Sequence, residues 1–197
     1  MTAAALCLAL LLDASESVRD HEWNTLAEGH AAAFETTEVR RAIRASGPVA
    51  VRAWHYSDLA LPLTPWRILA TDADAYAYAR ELRAADRLLT GSTATGDAMR
   101  QVLADFERGP CDGAELVMDV ATDGPGNWGS PASEARDAAT AQGVRVNVLA
   151  IETSEGDPLP YARESIATGD GFVMRVTGWR DVPRAIVRKI SMEIATR

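Results

Sequence analysis

The sequence predicts an α/β protein: a doubly wound, mainly parallel sheet of six strands, with helices on both faces and a short antiparallel edge strand. Three observations carry this. Short apolar runs alternate along the whole chain with stretches of helical periodicity. Several runs are rich in Val or Leu without polar alternation, as parallel strands buried on both faces are. The first run ends directly in Asp13-Ala14-Ser15-Glu16-Ser17, which places an acid and two hydroxyls at a strand's carboxyl end.

The elements follow in order. Ala4–Leu12 is the first strand and the central one. Its apolar run could be mistaken for the core of a leader peptide, but no basic region precedes it and no small-residue cleavage site follows it. Trp23, Leu26, Ala27, His30 and Phe34 recur at helical spacing, and Val39 and Ile43 begin a second short helix after Thr36-Thr37. Val49–Tyr56 is the second strand. Leu61-Pro62-Leu63 follows a turn, and its proline restricts it to an edge. Ala73–Ala85 is a helix, and Met99, Val102, Leu103 and Phe106 line one face of another. Glu115–Thr122 and Val144–Ile151 are strands. Between them, Ala135, Ala138 and Ala139 form a small-residue helix face suited to close packing. Glu152–Leu159 is the longest loop, and Phe172–Val176 is the last strand. Asp181 caps the final helix, with Pro183 in its first turn and Ile186, Ile190 and Ile194 facing inward.

With 197 residues, 47% hydrophobic and 24% charged, the chain reads as one globular domain over residues 1–197. The formal net charge is -8 and no basic cluster stands out. Nucleic acid is therefore a poor partner. No apolar run reaches membrane-spanning length, so insertion into a bilayer is not expected. The two cysteines are expected to be free thiols. If Asp13 and Asp123 end adjacent parallel strands, Cys7 lies six residues before its aspartate and Cys111 twelve before its own. That offset is roughly 20 Å at about 3.3 Å per residue, too far for a disulfide. The compartment stays open.

Oxygen ligands of this kind suit Mg²⁺ or Mn²⁺. Two later segments belong with the first: Thr93 in Gly91-Ser92-Thr93-Ala94-Thr95-Gly96, and Asp123 in Val120-Ala121-Thr122-Asp123-Gly124. In an open α/β sheet, ligands bind at strand carboxyl ends where the strand order reverses. With a 3-2-1-4-5-6 order, Asp13 and Asp123 flank that point. Each segment also has a structural reading. Ser15 or Ser17 could cap a helix starting near Val18, Thr93 or Thr95 the helix through Phe106, and Asp123-Gly124 could be a plain turn.

Taken together, the three segments resemble the metal-ion-dependent adhesion site of von Willebrand factor A domains, which reads D-x-S-x-S, then a distant Thr, then a distant Asp. The resemblance implies a Rossmann-like fold. It also implies that Ser15, Ser17 and Thr93 offer hydroxyl oxygens to Mg²⁺ or Mn²⁺, and that Asp13 and Asp123 act directly or through water. An acidic side chain of a partner protein would complete the sphere. Over nearly its full length the chain further resembles a bacterial family described only as a domain of unknown function, DUF1194. This rests on Gly91–Ala98, Asp123-Gly124-Pro125-Gly126-Asn127, Ala135–Ala139, Gly143–Asn147 and Ala185–Ile190. Members of that family commonly carry a secretion leader.

Around the candidate site, Asp97 lies one turn into its helix and could hydrogen-bond a bound water or a partner; equally it could support the helix amino end. Asn127 and Trp128 follow Asp123 in a Gly-Pro-Gly loop, where an exposed Trp would anchor a partner. His21, His30 and His55 match no zinc spacing and read as core or surface residues. The leading functional expectation is a metal-dependent protein-binding module, not an enzyme. One alternative is a hydrolase or phosphatase with an aspartyl nucleophile. That chemistry needs an acid two residues after Asp13, where Ser15 stands, and a lysine near the phosphate, where only Lys189 is available. No G-x-S-x-G or G-x-G-x-x-G is present. The other alternative is a scaffold with a vestigial site.

Overall fold

The computed structural model describes residues 3–195. Among them, a seven-stranded sheet is sandwiched between two helical layers. The strands are β1 (Leu6–Asp13), β2 (Val49–Tyr56), β3 (Ala60–Pro62), β4 (Arg67–Leu69), β5 (Glu115–Thr122), β6 (Val144–Glu152) and β7 (Val173–Thr177). Their order is β3-β2-β1-β5-β6-β7, with β4 also on β2. The long strands are parallel, so the expected order holds. The sheet has one more strand than expected. The outer edge of β2 is covered by two short antiparallel pieces, β3 beside Trp54–Tyr56 and β4 beside Val49–Val51. Arg67-Ile68-Leu69 was too short to read as a strand, and pairing with β2 is what makes it one.

The helices are α1 (Asp20–Glu35), α2 (Thr37–Ser46), α3 (Asp72–Arg83), α4 (Thr95–Phe106), α5 (Ala132–Ala141), the short α6 (Leu159–Tyr161) and α7 (Val182–Ala195). A single π-type turn, Ala162–Ile166, continues α6. Local chemistry sets several starts. The Thr36 hydroxyl accepts from Val39 N at the head of α2, and Thr71 and Asp74 form a reciprocal capping box at α3. α7 instead continues from a single 3-10 turn, Trp179–Asp181, so the expected cap residue Asp181 lies within a helical turn, and Pro183 is in the first turn of α7.

β1 shows why the sheet is buried on both sides. Its eight residues are all buried, and they alternate between two cores. Leu6, Leu8, Leu10 and Leu12 face the layer of α1, α2, α3 and α7. Cys7, Ala9 and Leu11 face α4 and α5. Each fully buried leucine contributes about 1.5–3 kcal/mol of apolar burial. Small residues also set close approaches: a Cβ on Gly29 of α1 would lie 2.8 Å from Ile186 Cδ1 of α7, so the two helices pack closely there.

The cysteines correct the sequence-based expectation. Cys7 and Cys111 are joined in a disulfide, with Cα atoms 5.7 Å apart. The register does place Leu6 level with Glu115. The error lay in extending β5 straight back to Cys111. The strand begins at Glu115, and before it the chain turns, with Ala114 N donating to Cys111 O. This folds Cys111 under the sheet against Cys7.

Two expectations follow. Replacing both Cys7 and Cys111 by Ser should lower unfolding free energy by about 2–5 kcal/mol, read by denaturant melts of oxidised and reduced protein; identical midpoints would show that the bridge contributes nothing. His55 is fully buried on β2, with the Trp23 ring 5.8 Å away. Burial, with the positive charge of Arg87 second, lowers its pKa to about 4. The unfolded chain takes up this proton near pH 6.5 and the folded chain only near 4. The stabilisation is therefore complete above 6.5 and falls away towards pH 4, by on the order of 3 kcal/mol. A His55→Gln variant should show a shallower loss of stability over that interval, and an unchanged slope would refute the assignment.

Candidate metal centre

The parallel register builds the site. Leu12 is level with Ala121 of β5 and Asp13 with Tyr56 of β2, so three strand ends meet at one edge. There the Asp13 carboxylate is almost completely enclosed. Its Oδ1 accepts from Ser15 N at 2.9 Å and Ser15 Oγ at 2.6 Å. Its Oδ2 accepts from Thr122 Oγ1 at 2.9 Å and Tyr56 OH at 3.2 Å. The line of oxygens continues from Ser15 Oγ to Ser17 Oγ at 3.2 Å, and from Ser17 Oγ to Asp123 Oδ1 at 2.9 Å. The serines are thus turned towards the acids. They do not cap α1, which starts later and takes Arg19 as its cap residue.

Thr93 joins from the segment before α4. It lines a cleft of about 420 Å³ with Ser17, Asp123 and Asn127, overhung by Glu155 and Asp157. No hydroxyl caps α4, whose cap residue is Ala94. Thr93 is held by its backbone: its N–H donates to Asn127 Oδ1 at 2.8 Å, and its carbonyl accepts from Asn127 N at 3.0 Å. Asn127 is therefore a clamp between two loops as well as a cleft residue. Asp97 braces the same loop, accepting from Ser130 N at 3.3 Å. The fit there is tight: a Cβ on Gly129, at φ +73°, would meet Asp97 Oδ2 at 2.1 Å. Trp128 is 63% exposed, with its backbone N–H donating to Thr93 O at 3.3 Å.

Sequence reasoning missed three contributors. Tyr56 and Thr122 are ordinary strand residues in sequence, and only the register brings them to Asp13. Arg87 gives no motif signal either. Its guanidinium donates to the carbonyls of Ala14, Ser15 and Val18 at 3.0, 3.1 and 2.7 Å. That staples the Asp13–Ser17 loop into the bend that aligns both hydroxyls.

The electrostatics are unbalanced. Burial raises the pKa of Asp13 against the pull of its hydrogen bonds. Burial, then the charge of Asp13, pushes Asp123 up to about 7. Among the described residues, no Lys or Arg forms an ion pair with either acid; Arg87 spends its donors on carbonyls and on Asp20. Asp123, Ser17 and Thr93 line the cleft, and Asp13 and Ser15 are joined to them from behind by hydrogen bonds; two acids and three hydroxyls lacking a positive charge are a hard-oxygen set that fits a small divalent cation. No group of three His, Cys, Asp or Glu side chains suited to a metal occurs among the described residues. A set that takes three ligands from Ser and Thr does not have that pattern.

A doubly wound sheet of this strand order is the fold of von Willebrand A-type domains. The chain belongs to the family described as protein of unknown function, DUF1194, whose profile matches residues 3–197. No curated protein sequence matches it. Similar solved structures share the fold. Proximal thread matrix protein 1 from the mussel byssus superposes with a TM-score of 0.72 at 16% identity, covering 98% of this chain and 47% of that one. The chain thus spans about half the length of that protein, of which another form has a zinc-occupied MIDAS motif. A von Willebrand factor type A protein from Catenulispora acidiphila gives 0.71 at 17% identity, over 97% and 43% of the chains. BatB from Bacteroides thetaiotaomicron gives 0.62 at 22% identity, over 98% and 100%.

Replacing Arg87 by Ala should cost about 2–4 kcal/mol, since each charged hydrogen bond to a carbonyl is worth about 1.5–3. It should also speed amide exchange at Glu16–Val18. Unchanged exchange would show that the loop keeps its shape without the staple.

Proposed function

We propose that this protein is a divalent-metal-dependent binding module of adhesion type, with Mg²⁺ or Mn²⁺ held by Ser15, Ser17, Thr93, Asp13 and Asp123. The observation that carries the reading is the oxygen line from Asp13 through Ser15 and Ser17 to Asp123, at the mouth of a cleft and without a basic partner. A bound cation would supply an electrophilic centre for an acidic side chain of a partner protein. Asp13 orients the Ser15 hydroxyl, and Asp123 orients that of Ser17. Tyr56 and Thr122 hold Asp13 in place. Asn127 and Asp97 fix the loop that presents Trp128, which offers an apolar contact beside the cleft.

The phosphatase alternative finds no support in the lysine it requires. Lys189 is buried in α7 and engaged with Asp119 and Glu193. The disulfide favours work in an oxidising compartment, in keeping with a binding role outside the reducing cytosol.

Calorimetric titration of chelator-treated protein with Mg²⁺ and Mn²⁺ tests the reading. Saturable binding is expected, weakened at least about tenfold, or 1.4 kcal/mol, in Asp13→Ala and Asp123→Ala. Equal binding by the wild type and both variants would place the cation elsewhere. No binding by the wild type, with or without acidic peptides, would leave a vestigial site.

A further inference from the structure

On the far side of β5 from α4 lies a second constellation that the metal centre does not use. Lys189 is the only lysine in the sequence; the other cationic side chains besides histidine are all arginine. It is also one of the largest fully buried side chains, 1% exposed. Its Nζ lies 2.5 Å from Asp119 Oδ1 of β5 and 2.6 Å from Glu193 Oε1, one turn further along α7. Asp119 and Glu193 are 2% and 0% exposed. Asn147 Nδ2 of β6 donates to the same Glu193 oxygen at 3.1 Å. The Phe172 ring covers the amine at 5.6 Å.

We infer that Lys189 and Asp119 are a site of spontaneous isopeptide formation, joining α7 covalently to the central sheet, with Glu193 as the proton-transfer group. Three features of the geometry support this. First, Nζ is 2.5 Å from Asp119 Oδ1 but outside the angles of a settled hydrogen bond to that oxygen. Second, Glu193 hydrogen-bonds the same amine, and its other oxygen, Oε2, is buried without a partner. Third, the groups are closed off from solvent, so the reacting groups are held together and kept from water. Burial, with the neighbouring charge of Asp119 second, raises the pKa of Glu193, which favours its protonated form.

The step balances without any co-reactant. The ammonium of Lys189 passes a proton to the Asp119 carboxylate, leaving a free amine and a carboxylic acid. Nζ attacks Asp119 Cγ and forms the C–N bond. Glu193 gives its proton to the departing oxygen and takes one from the nitrogen, the C–O bond breaks, and one water leaves. A buried ion pair, expensive to keep in low dielectric, becomes a neutral amide. Lysine suits the position because its amine becomes a nucleophile once desolvated, and a guanidinium does not.

Intact mass of the full chain, reduced and denatured, tests this directly. The expected value is about 18 Da below the sequence mass, one water lost, with a proteolytic peptide pair joined through Asp119 and Lys189. Lys189→Met and Glu193→Gln should both return the full mass. Glu193→Gln keeps the shape of the side chain, so a folded, uncrosslinked variant separates chemistry from misfolding. A wild type at full mass would leave only an ordinary buried ion pair and overturn the inference. So would a water loss that persists in Lys189→Met or maps to Asp112-Gly113, Asp123-Gly124 or Asp170-Gly171, where succinimide formation gives the same mass change.

Discussion

The structure turns on a buried carboxylate. Asp13 ends the central strand in a position that water scarcely reaches and no basic side chain neutralises. A charge so placed is costly unless its lone pairs are filled and a counter-charge is supplied. The fold fills the lone pairs with four donors drawn from the strand's own loop, from β2 and from β5. On the function proposed above, a bound cation supplies the counter-charge. Seen this way, the alignment of Ser15 and Ser17, the Arg87 staple beneath them and the Asn127 clamp on Thr93 serve one end. They hold the oxygens of Ser17, Thr93 and Asp123 at the cleft.

The sheet makes this possible because its two faces carry different loads. Leucines on one face of β1 pack against four helices, and smaller residues on the other let α4 come close. The α4 layer brings Thr93, Asp97 and the Trp128 loop to the carboxyl edge. Rigidity at the opposite edge comes from the Cys7–Cys111 bridge, which ties the start of β1 to the turn before β5. The two strands that carry the acids are thus fixed at both ends, by covalent chemistry below and by hydrogen bonds above.

α7 is bound into this frame through buried polar contacts as well as packing. Its isoleucines meet the leucine face, and Lys189 and Glu193 reach Asp119 in the interior. A helix whose polar anchors are enclosed cannot slide along the sheet without leaving buried polar groups unpaired. The last helix is therefore part of the rigid core on which the site is displayed.

Much of this was legible in the residues. Apolar runs and helical spacing marked the long strands and the main helices, because buried parallel strands and amphipathic helices leave strong periodic signals. The five oxygen-bearing positions could be picked out because each follows a strand or precedes a helix at the same sheet edge. Non-local geometry decided the rest. β4 is a strand only because β2 has a free edge. Cys111 reaches Cys7 only because the chain turns at residues 111–114, which an offset counted along extended strands cannot anticipate. Tyr56, Thr122 and Arg87 carry no motif; register and side-chain reach alone bring them to Asp13 and its loop. The sequence by itself determined the fold class and the chemistry available at the sheet's edge. Tertiary structure decided which donors hold that chemistry and which cysteines and charges meet, since these depend on distances between residues far apart in the chain.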